Sequence, residues 1–323
     1  MTLCSGYLFI KVGGGIMRFM IAGGSGLIGR ELTSSLTSIG DEVIILSRSP
    51  EKVTGLPVGS RAIQWDGKTV QDWGREMETC DVVINLTGEN LSGDGFLPTR
   101  WSKGRKLSLV QSRVNSGHAL TKAIEMAAKK PFVFVQASGI NYYDIYSEKV
   151  ITEADEAGND FLANLSKEWE ASSLAVESMG IRRVITRNGV VLSMKGGALR
   201  FLLLPYKLFV GGRLGSGKQI YSWIHIRDEI EAIIHLVRND HASGPYNLTS
   251  PNSVTNDDFG RTIAKVMKRP HYLPVPALAM RLAFGEVAAM VLEGQKVVPQ
   301  RLLESGFTFK YPILEDALKE LLK

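Results

Sequence analysis

Cysteine is almost missing from this chain. Only Cys4 and Cys80 occur in 323 residues, far apart and outside any metal-ligand spacing. A disulfide framework and a structural zinc site are therefore not expected, and a reducing, cytoplasmic compartment is. The five histidines form no cluster that suggests a metal. Long apolar runs are missing too: the densest, residues 201–210, is interrupted by Pro205 and Lys207. None reaches the roughly 18 residues that a spanning helix needs, so no membrane partner is expected. A large excess of either charge is missing as well. A net charge of +5 with 22% charged residues suits an anionic cofactor or substrate and is too weak and scattered for nucleic acid. No internal repeat or low-complexity linker is visible. Residues 1–16 carry a short apolar run, 7–10, ended by Lys11 and without a basic leader. They do not read as a signal peptide. They are expected to form an N-terminal extension outside the fold, with Met17 as an alternative start.

Glycine, by contrast, is concentrated where it carries information. Phe19, Met20 and Ile21 form a short buried-strand pattern, followed at once by Gly23, Gly24, Ser25, Gly26, Leu27, Ile28 and Gly29. Gly23, Gly26 and Gly29 have the spacing G-x-x-G-x-x-G; a helix pattern continues over 31–39 and a second strand over 43–46. A strand, a glycine turn and a helix in this order let a backbone approach a pyrophosphate, which the helix N-terminus then holds. Glycine spacing alone is weak; with both flanking elements present it points to a dinucleotide.

The end of the second strand bears on which one. NAD-selective sites place a carboxylate about 20 residues past the turn, for the ribose 2′-hydroxyl. Here the strand ends Leu46-Ser47-Arg48-Ser49, and the first carboxylate is Glu51. Arg48 offers a planar fork suited to a phosphate, and Ser47 adds a hydroxyl. NADP(H) is the expected cofactor, against the plainer reading of Arg48 as a solvated arginine.

Strands and helices alternate through the first half, which predicts an α/β fold: a doubly wound parallel sheet with helices on both faces. Strands are expected at 62–65, 81–86, 132–136 and 183–187, and helices at 107–129 and 162–178. The fourth strand runs into Asn85-Leu86-Thr87-Gly88, a turn placed to wall the same cofactor. Beyond Gly189 the rhythm loosens. A helix over 257–268, capped by Thr255 or Asn256, and a last apolar helix over 277–292 are expected. The expected division is a dinucleotide-binding domain over 17–189 and a smaller C-terminal substrate lobe over 190–323, partly interleaved with it.

Taken in order, these pieces resemble the extended and atypical branch of the short-chain dehydrogenase/reductase superfamily. Within it, they are most similar to the epimerase family proteins that carry their own C-terminal extension. The resemblance runs from Met17 nearly to the end, through Ala22–Gly29, Asn85–Glu89, Ser112–Asn115, Ala137-Ser138 with Tyr142-Tyr143, Arg187–Leu192, Gly215–Gln219, Ser222–Ile226, Leu273–Pro276 and Gly306–Phe309. It implies a Rossmann-like fold, NADP(H) and a small substrate, with sugar-like molecules as candidates. In active members it also implies a serine and a Tyr-x-x-x-Lys pair that moves a proton as hydride is transferred. That pair is missing. Aligned on Glu170, the tyrosine place holds Leu162 and the lysine place Ser166. Lys167 is one residue off, about 100° around the helix.

Chemistry therefore needs another acid, or there is none. Ser138 with Tyr143, or Tyr142, leaving the fifth strand, is the best substitute; the alternative reading takes both tyrosines as packing residues. Glu89 and His225 are further titratable candidates, read also as a loop cap and a satisfied strand histidine. Asp228, with Glu231 three residues on, reads as a helix N-cap. Gly212 to Lys218 fits the G-x-x-x-x-G-K pattern, but Gln219 stands where a magnesium-binding Ser or Thr belongs, so it reads as a substrate-side loop. Arg100, Lys103, Arg105, Lys106 and Arg113 face either an anionic substrate or solvent. Two functions remain open: an NADP(H)-dependent oxidoreductase or epimerase-like enzyme, or a catalytically inactive NADP(H)-binding regulatory or scaffold protein.

Overall fold

A computed structural model describes residues 15–93, 95, 98–145 and 149–323; the expectation for the N-terminal extension falls, but for its last two residues, outside them. The chain alternates as its pattern predicts: β1 (Arg18–Ala22), α1 (Leu27–Ser38), β2 (Glu42–Ser47), β3 (Ser60–Gln64), β4 (Val82–Asn85), α2 (Lys103–Met126) and β5 (Val133–Gly139). A short β6 (Val150–Ile151), α3 (Phe161–Ala171) and β7 (Arg182–Asn188) follow. The second half holds β8 (Val190–Leu192), α4 (Leu199–Lys207), β9 (Ile220–Tyr221), β10 (Trp223–His225), α5 (Ile226–Arg238), β11 (Gly244–Leu248), β12 (Val254–Thr255) and α6 (Asn256–Met267). The chain ends with α7 (Ala277–Phe284), α8 (Ala289–Leu292), β13 (Lys296–Val297), α9 (Gln300–Glu304) and α10 (Leu314–Leu321).

Seven strands form one parallel sheet in the order β11-β7-β5-β4-β1-β2-β3. This is the doubly wound order, with its switch point between β1 and β4, where a crevice opens at the carboxyl ends of the strands. Alternation along each strand sends side chains to opposite faces. Phe19, Ile21, Val43, Ile45, Val82 and Ile84 pack with Leu32 and Leu36 of α1 and Ile230 and Ile233 of α5. Met20, Ile44, Leu46, Val83 and Phe134 pack on the other face with Leu120, Ala123 and Ile124 of α2. A third cluster joins Leu192, Leu203, Trp223 and Phe259 to Leu314 and Leu318 near the C-terminus. The sheet draws β11 from the second half of the chain, so both halves share it. No described helix is long and apolar enough to cross a membrane.

Two expected helices are shorter than their apolar patterns. The helix expected over 162–178 stops at Ala171, where the Ser172 and Ser173 hydroxyls donate back to the Trp169 and Glu170 carbonyls; such back-bonding competes with the ladder. The helix expected over 277–292 breaks at Gly285, whose φ of 63° lies in the left-handed region. Thr255, one of the two expected caps, does cap α6, accepting from Asp258 N. Asp228 is not a cap. His225 fills that place because β10 runs into α5 without a turn, and its ring accepts from Arg227 N. Asp228 lies buried in the first turn and accepts from Lys310 N at 2.8 Å and Tyr311 N at 2.9 Å, holding the C-terminal segment.

Candidate active site

The glycine turn bridges β1 and α1. Gly23 has φ 81°, and a Cβ there would stand 2.8 Å from the Leu86 carbonyl carbon; a Cβ on Gly29 would stand 2.5 Å from Gly23 O. Side chains at either position would push the turn off the sheet or off the helix. Gly26 caps α1 with no side-chain hydrogen bond, and the first turn holds no acidic residue. The first-turn N–H groups are thus left to an external acceptor, the arrangement that suits a diphosphate.

Above this turn lies a cleft of about 430 Å³. Gly23, Ser25, Gly26, Ser47, Arg48, Leu86, Thr87 and Gly88 line it, so most of the sequence-expected cofactor residues converge there. Gly24 and Gly29 lie behind it, and Leu27 and Ile28 face the core as the first residues of α1. Asn85 is buried beneath the turn, donating to Gln136 Oε1 at 3.2 Å and accepting from Thr87 N at 3.2 Å. The Arg48 guanidinium is exposed and has no partner among the described residues. Lys68, which the sequence reading missed, lines the same end of the cleft. Asp66 beside it is a carboxylate near the expected phosphate place. It is occupied, accepting from Lys68 N, Thr69 N and the Thr69 hydroxyl. Burial pushes its pKa up, but those hydrogen bonds outweigh it and hold the carboxyl below its ordinary value.

The basic stretch is neither a free cationic face nor an open anion site. Arg105 donates to Glu89 Oε2 at 2.5 Å, while Glu89 Oε1 accepts from Ser108 at 2.7 Å. Arg113 is buried against Trp169, donating to the Leu109 and Glu89 carbonyls at 3.0 and 3.1 Å, and burial lowers its pKa to about 10. Arg100 donates to the Leu282 and Ala283 carbonyls at the end of α7, and Lys106 pairs with Glu286. Lys103 alone remains solvated, without a partner among the described residues.

A second pocket, about 270 Å³, opens over the ends of β5 and β7, further along the same edge of the sheet. Ile140, Asn141 and Tyr143 from beyond β5 form one wall. Phe161 and Leu162 of α3 form another, and residues 281–295 form the roof. Leu162, at the tyrosine place of the missing relay, presents an apolar side chain here. Ser166, at the lysine place, is buried.

At the base of this pocket a buried polar chain joins residues far apart in sequence. Ser138 donates to Glu170 Oε1 at 2.7 Å. Arg187 clamps the same carboxylate through two 2.9 Å bonds and donates its remaining Nη to the Tyr143 hydroxyl at 2.9 Å. That hydroxyl donates to Asn247 Oδ1 at 2.7 Å. The Arg187 guanidinium also lies 3.4 Å from the Tyr142 ring centroid. Ser138, Tyr142 and Tyr143 are therefore gathered around one cation, though only Tyr143 lines the pocket. Burial raises the Tyr143 pKa to about 12, with the Arg187 charge and the Asn247 hydrogen bond opposing. Burial alone would lower Arg187, but Glu170 outweighs it and keeps the guanidinium above its ordinary value. Arg187 and Glu170 entered the sequence reading only as markers of the resemblance and its alignment, and Asn247 not at all; only the fold brings them together.

His225 lines neither pocket; its ring bonds Glu320 at 2.9 Å, and burial keeps its pKa below the ordinary value. The loop from Gly212 to Lys218 precedes β9 and also lines neither. It packs on the C-terminal segment and α6, with Gly215 N donating to Val275 O and Asp257 N to Gly217 O.

The match to known proteins follows this geometry. Residues 19–249, holding the sheet and both polar clusters, match the NAD dependent epimerase/dehydratase family; residues 275–321, holding the pocket roof, match a domain of unknown function, DUF1731. Epimerase family protein YfhF of Bacillus subtilis is 38% identical over 95% of this chain and 98% of its own length. The crystal structure of human epimerase family protein SDR39U1 (isoform 2) with NADPH is 34% identical, with a TM-score of 0.85 over 94% of this chain and 99% of that one. A nucleoside-diphosphate sugar epimerase from Corynebacterium glutamicum aligns at 27% identity and a TM-score of 0.75, over 95% of this chain and 58% of that one. By a family match across the whole sheet and a relative aligned almost end to end, the chain belongs to the NAD dependent epimerase/dehydratase family.

Proposed function

We propose that this protein is an NADP(H)-dependent oxidoreductase or epimerase-like enzyme acting on a small molecule held in the second pocket. One observation carries the catalytic part: the Tyr143 hydroxyl stands 2.9 Å from a guanidinium that Glu170 holds in place. A phenol beside a fixed cation is the chemistry of the missing Tyr-x-x-x-Lys pair, rebuilt from a different strand. NADP(H), when bound, supplies or accepts a hydride at nicotinamide C4. The glycine turn and the open end of α1 would hold its diphosphate. Ser47 and Arg48 would hold the 2′-phosphate, and the Asn85–Gly88 turn would wall the cleft.

In this reading the Tyr143 hydroxyl turns its proton from Asn247 Oδ1 to the substrate oxygen, and Arg187 stabilises the phenolate that develops. Ser138 orients Glu170 and through it Arg187, and Tyr142 covers the guanidinium face. With a pKa near 12, Tyr143 is protonated throughout the neutral range, the state a proton donor needs. The cysteine usage suits a cytoplasmic location.

A second reading, an inactive NADP(H)-binding regulatory or scaffold protein, is favoured by Leu162 and Ser166 in the relay places. Calorimetry with NADPH and NADH on wild type and Arg48→Asp tests what both readings share. Loss of a charge-assisted phosphate contact should weaken NADPH by roughly ten- to a hundredfold and leave NADH nearly unchanged. Equal losses would remove Arg48 from the 2′-phosphate. Tyr143→Phe separates the readings: NADPH affinity is expected to persist while reductase turnover on a found substrate drops at least about a hundredfold. Undiminished turnover would exclude Tyr143 as the acid.

A further inference from the structure

Among its described residues the second pocket offers a phosphorylated or otherwise anionic ligand no unpaired cation, and the reason lies in how its positive groups are used. Among the described residues, its ionised lining consists of three carboxylates, Asp160, Glu286 and Glu293, and one guanidinium, Arg281. Arg281 is already paired with Glu293 at 3.0 Å. The nearby Lys106 ammonium, 4.8 Å above the Phe161 ring, is paired with Glu286 at 2.5 Å. Among the described residues a further device for an anion is the N-terminus of α3, and Asp160 occupies it, accepting from Ala163 N at 2.8 Å. An incoming diphosphate or carboxylate would have to displace an internal carboxylate at each cation or helix end, while meeting the excess of negative charge. Apart from the neutral polar side chains of Asn141, Tyr143, Tyr221, Ser222 and Gln295, the rest of the described wall is apolar.

Resting on the reading of this pocket as the substrate site, we propose that its substrate is an uncharged carbonyl or alcohol with an apolar body, and not a nucleoside-diphosphate sugar. The C-terminal segment sets this specificity, because Arg281, Glu286, Ala289, Met290 and Glu293 all belong to it. Apolar walls contribute affinity in proportion to the surface they remove from water, and the self-neutralised ion pairs admit a neutral oxygen without leaving a charge unpaired.

A matched ligand pair isolates the charge. 4-Phenylbutan-2-one and 3-phenylpropanoate share a body and differ in a methyl ketone against a carboxylate. Both, and UDP-glucose, are titrated calorimetrically into the full chain with and without saturating NADPH. The ketone is expected to bind at least about tenfold more tightly than the carboxylate, with UDP-glucose giving no heat. Glu293→Gln, which frees Arg281, and Asp160→Asn, which keeps the cap and removes its charge, should each strengthen carboxylate binding by roughly threefold or more. Neither should move NADPH affinity, which reports that the fold is intact. Tighter binding of the carboxylate or of UDP-glucose would overturn the proposal, and so would failure of the ketone to bind in either condition. Absence of NADPH binding alone would strike the cofactor reading and leave this one standing on the cofactor-free titrations.

Discussion

Glu229 places both carboxylate oxygens in the interior with no hydrogen-bond partner among the described residues. Burial raises its pKa from 4.5 to about 8, so the folded chain holds a proton that the unfolded chain has released. Stability from this site is full below pH 4.5 and is lost as pH rises toward 8. Glu229→Gln keeps the shape and removes the titration. It should raise the melting temperature at pH 8 by several degrees, leave it nearly unchanged at pH 5, and flatten the profile between. A melting temperature that falls equally at both pH values would show that the carboxyl has a stabilising role. Nothing in the sequence announced this residue, because the cost of a charge depends on what surrounds it after folding. Arg48 is the opposite case. The role proposed for it follows from a count of residues past a glycine turn and needs no tertiary contact. The Tyr143–Arg187 pair lies between: the tyrosine was visible as a candidate beside Ser138, but its cation is 44 residues away and is brought to it by the pairing of β5 with β7.

Local pattern is most reliable for elements that lie inside the sheet. Strands β1, β2, β4, β5 and β7 were all legible because a buried parallel strand is a short apolar run between turns. Strand β11 was not, since Gly244-Pro245 at its start reads as a breaker; the proline sits on the sheet's edge, where a missing donor is tolerated. The end of α3 was overextended because helix termination there depends on serine hydroxyls turning back to the backbone. That same junction gives a sharp test of packing. A Cβ on Gly117 of α2 would stand 1.9 Å from the Ser172 hydroxyl oxygen and 2.7 Å from its Cβ, so the two helices touch through a glycine. Gly117→Ala should cost about 1–3 kcal/mol in urea unfolding despite alanine's better helix propensity. Adding Ser172→Gly should recover part of the loss. A neutral or stabilising Gly117→Ala would mean that α3 can move away at no cost.

At the scale of the whole molecule, the C-terminal segment is built into the fold and does not hang from it. Leu302 and Phe307 belong to the cluster under the sheet, and Leu314 and Leu318 to the cluster of the second half. Its backbone is held at the end of edge strand β11 and between β9 and β10. Ser222 donates to Gln295 O at 2.8 Å, Thr249 to Val297 O at 3.1 Å, and Asn247 to Val298 O at 3.0 Å. Asn247 is also the acceptor for the Tyr143 hydroxyl, so one amide ties the pocket's proton-bearing group to the segment that roofs it. Removing that segment would expose apolar surface from two clusters and strip partners from buried polar groups, each of which is costly. The chain is therefore expected to unfold in one calorimetric transition, with equal van't Hoff and calorimetric enthalpies, and NADPH should shift that whole transition upward. Two resolved transitions, only one of them moved by NADPH, would show that the segment folds separately. Substrate specificity would then reside in a part that can loosen while the cofactor site stays intact. A single transition means instead that roof, polar chain and cofactor turn hold or fail together, and that a destabilising change as distant as Gly117→Ala lowers the population competent for both ligands.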